Sequence, residues 1–197
     1  MQNKKIKDMV IYALFIALIG VASFTPIGFV PLVGVSITTL HVFVLIMAFL
    51  TGKKGGLVAG LAFGIFSLIR ALVMPNAITD LIFINPIVSV LPRAIFGFLT
   101  GLTSDILNKK YGNQLVKKTL LIAISAVILT FIHTAMVLPL MYLFAPLVDG
   151  LENFWQENAF LTMFGAVMVA NGFLEMIFAG VITPLCVVPL AKVMERS

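Results

Sequence analysis

The sequence predicts an all-α integral membrane protein: one membrane domain over residues 1–197, built from six transmembrane helices, with both termini in the cytoplasm. Three observations carry this. The 197 residues are 61% hydrophobic and 11% charged, whereas soluble domains carry about 25% charged residues. Six apolar runs can be drawn, and six spans of about 20 residues fill roughly 120 positions, which leaves only short loops and no soluble domain. The basic residues also partition. Lys4, Lys5, Lys7, Lys53, Lys54, Lys109, Lys110, Lys117, Lys118, Lys192 and Arg196 all fall on one side, which the positive-inside rule assigns to the cytoplasm. The other side carries only Asp80, Asp149, Glu152 and Glu157. The net charge of +5 is therefore explained by lipid headgroups at a membrane surface, and no nucleic acid is needed.

Taken in order, the first span covers about 8–24. Its basic, then apolar, then small-residue pattern is signal-peptide-like, and it reads as a retained first helix because further spans follow. Thr25 to Ser36, TPIGFVPLVGVS, holds two prolines, two glycines and no charge, and reads as a structured loop or cap. The second span covers about 37–50, TGKKGG is a tight basic turn, and the third span covers about 57–73, ending before Pro75. Pro75 to Ile84 is a second outer loop. The fourth span covers about 86–107, with Asn85 as N-cap and Pro86 at the first helical position. NKKYGNQLVKK is a polar connector. The fifth span covers about 119–144. Ala145 to Asn158, which contains Trp155, is a third outer segment with Trp155 an interface anchor or a lid. The sixth span covers about 160–190 and is interrupted by Pro184 and Pro189. The lone cysteine, Cys186, forms no disulfide within the chain and packs as a small apolar residue.

Topology gives each polar residue in a span a depth. His41 and Arg70 fall about one turn below the outer surface. Asn85 lies at the rim, and Arg93 sits about 12 Å deeper at 1.5 Å per residue. His133 lies at or above the middle, and Asn171 and Glu175, four apart on one helical face, lie in the upper half. Polar groups from five spans thus fall in the outer half, which points to a pocket open outward rather than to a pore. A charge in a span costs about 2.5–3.5 kcal/mol on insertion scales and calls for a partner, a cavity or a ligand. Each residue has a plainer reading beside the pocket reading. Arg70 can snorkel to headgroups, Arg93 can pair with Glu175, and Glu175 can be protonated or serve proton coupling. The histidines and Asn171 can bridge helices, Asn85 can be only a cap, and Asp80 only a solvated loop residue. Pro92 cannot donate to the carbonyl of Val88, so a kink beside Arg93 with an exposed acceptor is expected, as for Pro139 and Ala135. Gly56, Gly60 and Gly64, and Gly97 and Gly101, form small faces for close packing. Ala13 and Ala17 form another, for a partner or for internal packing.

No P-loop, HExxH, GxSxG or CxxC pattern occurs, two well-separated histidines make a poor metal site, and no cofactor is implied. A single-chain ATP-driven pump is excluded.

With AxxxA at Ala13 and Ala17, then TPIGFVPL, TTLHV around His41, GLAFGIFSLIRA around Arg70 and NPIVSVLPRAIFG around Arg93, the chain resembles the S component of an energy-coupling factor (ECF) vitamin transporter, especially the pantothenate type. The resemblance extends over essentially the whole chain. It implies a vitamin-binding subunit with Ala13 and Ala17 docked on a transmembrane coupling subunit, two cytoplasmic ATPases, and three outer segments covering the pocket. Substrate contacts are not inherited. The residues themselves offer Arg93, Arg70, His41, Asn85, Asn171, Glu175 and His133 as candidates. Arg70 and Arg93 against Glu175 leave one excess positive charge, which suits a monoanion held by a guanidinium fork. Pantothenate fits this best, with a pyridoxine-, riboflavin- or folate-like vitamin as the alternative. A proton-coupled secondary transporter using Glu175 and a lipid-modifying enzyme are the competing classes.

Overall fold

Long apolar runs free of helix breakers leave the backbone one way to satisfy its N–H and C=O groups in hydrocarbon, which is to bond them within helices. The computed structural model describes residues 2–32, 35–76, 78–112, 114–151, 165, 169 and 172–196. It is a helical bundle. In chain order come helix α1 (Gln2–Ser23), strands β1 (Phe29–Leu32) and β2 (Val35–Thr38), α2 (Leu40–Val73), a 3-10 segment (Ile78–Ile84), α3 (Pro86–Ser89), α4 (Leu91–Tyr111), α5 (Leu115–Phe144), a 3-10 turn (Ala145–Leu147) and α6 (Phe173–Arg196). Among the described residues, five stretches are long and apolar enough to cross a membrane: Ile6–Ser23, Leu40–Val73, Pro86–Tyr111, Leu115–Leu147 and Phe173–Met194.

The second of these is not one rod. Gly52 has φ 74 and ψ −162 inside it, a left-handed φ that glycine adopts freely and other residues resist. A methyl placed on Gly56 would lie 3.0 Å from the Ala48 side chain. Eight residues of continuous helix would separate those positions by about 12 Å. The chain therefore doubles back at Gly52, inside the expected TGKKGG turn, with Lys53 onward already helical. The arm 40–51 has 12 residues and the arm 53–73 has 21. The expected start of the second span at 37 is displaced to Leu40, because residues 37 and 38 belong to β2.

The stretch read as a structured cap is an antiparallel hairpin in which Phe29 faces Thr38 and Pro31 faces Ser36. Pro31 lacks an N–H, which a two-stranded ribbon tolerates at its edge.

The glycine faces meet as expected. A Cβ on Gly56 would run into the carbonyl oxygen of Gly97, one on Gly60 into that of Arg93, and one on Gly101 into that of Gly52. Pairing 52 with 101, 56 with 97 and 60 with 93 makes the second arm of α2 antiparallel to α4, backbone against backbone. Helix α1 packs on α2 through Phe15 and Ile19, and Tyr12 near Gly55 with Phe66 near Gly20 make it parallel to the second arm. Lys7 Nζ donates to the carbonyl of Met194, so the start of α1 and the end of α6 share one end of the bundle.

Candidate functional site

Arg93 is built into α4 by the residues just before it. Asn85 caps α3 with Oδ1 accepting from the Ile87 N–H at 2.9 Å, and Pro86 takes the first helical position. Helix α3 ends at Ser89, Val90 keeps helical angles (φ −96, ψ −47), and α4 begins at Leu91 with Pro92 in its first turn. The Val88 carbonyl that Pro92 cannot serve accepts from Arg93 Nη1 at 2.5 Å. The guanidinium carbon lies 4.7 Å from the centroid of the Phe83 ring and 5.5 Å from that of Phe63, distances at which a cation is attracted to a π-face. Arg93 is only 6% exposed. Its Nε has no partner among the described residues.

Three further polar side chains converge there from other helices. Glu175, in the first turn of α6, accepts the Thr38 N–H on Oε1 at 2.7 Å and so ties the end of the hairpin to α6. His41, in the first turn of α2, is 1% exposed and lies beside the backbone of Thr38 and Glu175. His133 of α5 is 7% exposed, with its ring centroid 4.9 Å from Phe96 and 6.0 Å from Phe63. It is coupled electrostatically to both Arg93 and His41. Nε2 of His41, Nε2 of His133 and, one turn before His133, Oγ1 of Thr130 are buried without a partner among the described residues. Arg93 and Glu175 also feel one another's charge. Yet among the described residues they form no ion pair: the cation is engaged by Val88 and the carboxylate by Thr38. The direct-pair reading of Arg93 is replaced by two opposed charges, each fixed by backbone, around unsatisfied nitrogens.

Other candidates separate from this group. Arg70 is buried at the end of α2 and interacts with Asp80 of the 3-10 segment, while Asp80 also accepts the Asn76 N–H at 2.8 Å. Neither snorkelling for Arg70 nor a merely solvated Asp80 describes this. With Arg70 balanced by Asp80, the polar cluster around Arg93 holds, among the described residues, one arginine and one glutamate rather than an excess positive charge. Asn85 is a cap at the rim of a cleft of about 500 Å³, lined by Leu81, Ile82, Asn85, Phe144, Leu147 and Asp149 among others. Asn171, Trp155, Glu152 and Glu157 lie outside the described residues. Ala13 and Ala17 are exposed on α1, on the face turned away from Phe15 and Ile19, so internal packing does not account for them. Phe83, Phe63, Thr38 and Thr130 escaped the sequence reading. No sequence signal singled them out, since the proline that frees Val88 points only to Arg93, which fills that acceptor. Among the described residues no three His, Cys, Asp or Glu side chains gather as a metal site.

A bundle of apolar helices around a buried arginine, a carboxylate and partnerless nitrogens has the build of a membrane-embedded solute-binding protein. A family model for the ECF transporter substrate-specific component matches residues 7–187, and the chain belongs to that family. A comparison with curated proteins returns no match. Membership makes the chain a multi-pass transporter subunit that binds a small-molecule substrate and works with ECF coupling and ATPase subunits. It is not a member of a catalytic enzyme family.

Proposed function

We propose that the chain captures a vitamin from the outer side of the membrane in the chamber formed by Arg93, Glu175, His41 and His133, with pantothenate as the favoured ligand. The carrying observation is that Arg93 and Glu175 are each held by backbone rather than by one another, close to buried polar atoms without partners among the described residues. Leaving such groups unsatisfied costs about 1–3 kcal/mol each, more when charged, so a ligand that reached and satisfied them would bind favourably. An extended ligand with a carboxylate at one end and hydroxyls at the other complements it, carboxylate toward Arg93 and a hydroxyl donor toward Glu175. The histidine nitrogens serve the remaining hydroxyls and amide. Asn85 at the rim and Asn171, which lies outside the described residues, complete the candidate set, and Arg70 acts at one remove by holding Asp80 and its 3-10 segment.

We place both termini in the cytoplasm and count six crossings. The contact of Lys7 with Met194 supports an even number of traversals, and the reversal at Gly52 supports reading Leu40–Val73 as two of them. The exposed face of Ala13 and Ala17 would receive the coupling subunit, whose two ATPases drive uptake. A pyridoxine-type ligand is a second reading, favoured by the Phe63 and Phe96 rings beside His133, which offer faces to a flat ring.

The purified chain alone should bind one vitamin tightly in a calorimetric panel of pantothenate, pyridoxine, riboflavin and folate, and mass spectrometry of the co-purifying small molecule should return the same compound. Arg93→Ala should lower pantothenate affinity at least about 100-fold while the protein still folds, the scale of losing a charge-assisted bidentate contact. A pyridoxine-type ligand, lacking a carboxylate, would be affected little by that substitution. Binding of no vitamin in the panel would refute the reading.

A further inference from the structure

We propose that Pro92 and Phe83 are positioning residues that fix which edge of the Arg93 guanidinium faces the ligand, and thereby select a carboxylate held side-on over an uncharged analogue. This deepens the reading of the chamber as the vitamin site and rests on it. In an unbroken helix the N–H of residue 92 would donate to the Val88 carbonyl, but proline has none. Arg93 Nη1 takes that acceptor instead, at 2.5 Å. Nη1 lies on the Cδ side of the guanidinium plane. Engaging it there leaves the opposite edge, Nε and Nη2, whose two parallel N–H groups match the oxygen spacing of a carboxylate. Nε is buried and has no partner among the described residues, so on that edge this N–H is left for a ligand to satisfy. The Phe83 ring, 4.7 Å from the guanidinium carbon, limits rotation of the plane. A carboxylate fills both N–H groups, whereas an alcohol in its place fills one and strands the other.

Two measurements test this, one of which needs no ligand. The chain has three arginines, Arg70, Arg93 and Arg196, so nitrogen-15 labelling of arginine gives a sparse spectrum in which Arg93→Lys assigns the Arg93 signals. In the unaltered protein the Arg93 Nη protons should be resolved, because rotation about Nε–Cζ is slow. In Pro92→Ala the new N–H competes for the Val88 carbonyl and the signals should merge. The second measurement is the ratio of affinities for pantothenate and pantothenol, the same scaffold ending in an alcohol. Pro92→Ala and Phe83→Leu should each reduce that ratio about 10-fold, the scale of one hydrogen bond to a charged group. Unchanged rotation together with an unchanged ratio in folded Pro92→Ala overturns the proposal. If that variant does not fold, the same pair of results in Phe83→Leu overturns it. If the unaltered protein binds neither compound, the vitamin assignment fails, and the arginine spectrum alone decides the positioning role: merged signals in Pro92→Ala support it and resolved ones refute it.

Discussion

Replacing Gly60 with alanine is a perturbation whose sign discriminates. By propensity alone, Gly→Ala inside a helix stabilises by about 1 kcal/mol. At this position the added methyl meets the carbonyl oxygen of Arg93, with the Arg93 carbonyl carbon 3.0 Å and the Ala94 Cα 3.1 Å away. All three are backbone atoms that cannot swing aside. Carbon contacts rest near 3.5–4.0 Å, so α4 and the second arm of α2 must separate by on the order of 1 Å. The neighbouring Gly56/Gly97 and Gly101/Gly52 approaches then loosen as well. Overpacking costs about 1–3 kcal/mol; against immobile backbone the upper part of that range, about 2–3 kcal/mol, applies, which exceeds the propensity gain and leaves a net loss of about 1–2 kcal/mol. For a chain of this size that corresponds to a fall of roughly 2–8 °C in the unfolding midpoint. Thermal unfolding of the purified protein in detergent measures it, with Leu61→Ala, at a 38% exposed position, as the control on the outer face. Because the displaced backbone carries Arg93, ligand affinity should fall in the same variant. A midpoint equal to or above that of the unaltered protein would refute the close backbone approach at this level.

Exchanging Ala13 and Ala17 for leucine should abolish ATP-driven uptake in proteoliposomes containing the coupling module while leaving ligand affinity of the isolated chain unchanged; an equal fall in affinity would remove the docking role. Glu175→Gln keeps an oxygen that can accept the Thr38 N–H, whereas Glu175→Ala removes it. Hydrogen exchange at the Thr38 amide should stay slow in the first and accelerate at least about 10-fold in the second, the scale of losing one hydrogen bond to a charged group, and equal protection in both would show that Glu175 does not hold the hairpin.

Much of the architecture was legible because membrane spans and their breakers have strong local causes. The reversal inside TGKKGG, the cap at Asn85, the Val88 carbonyl left unserved by Pro92 and the close glycine faces each follow from one residue type whose backbone behaviour differs from the rest. The partners of the polar groups were not legible. Nothing in the sequence distinguishes Phe83 and Phe63 among 17 phenylalanines, since stacking on a guanidinium depends on where the 3-10 segment settles. The Arg93–Glu175 pair looked natural from charge and depth, but a carbonyl freed one turn before Arg93 and an amide at the end of β2 reached these groups first. Arg70 and Asp80 lie ten residues apart across a proline-containing turn, and no helical spacing relates them.

The first arm of α2 has a consequence for the surrounding lipid. Its 12 residues rise about 18 Å, against a hydrocarbon thickness of about 30 Å. On the six-crossing reading, one crossing is short by about 12 Å and is preceded by the β-hairpin at its outer end. Lipid beside a short segment thins to meet it, at a fraction of a kcal/mol per ångström of mismatch. Acyl-chain length in a reconstituted membrane thereby becomes a variable of the binding site: thicker bilayers press on the hairpin that Glu175 holds, and thinner ones relieve it.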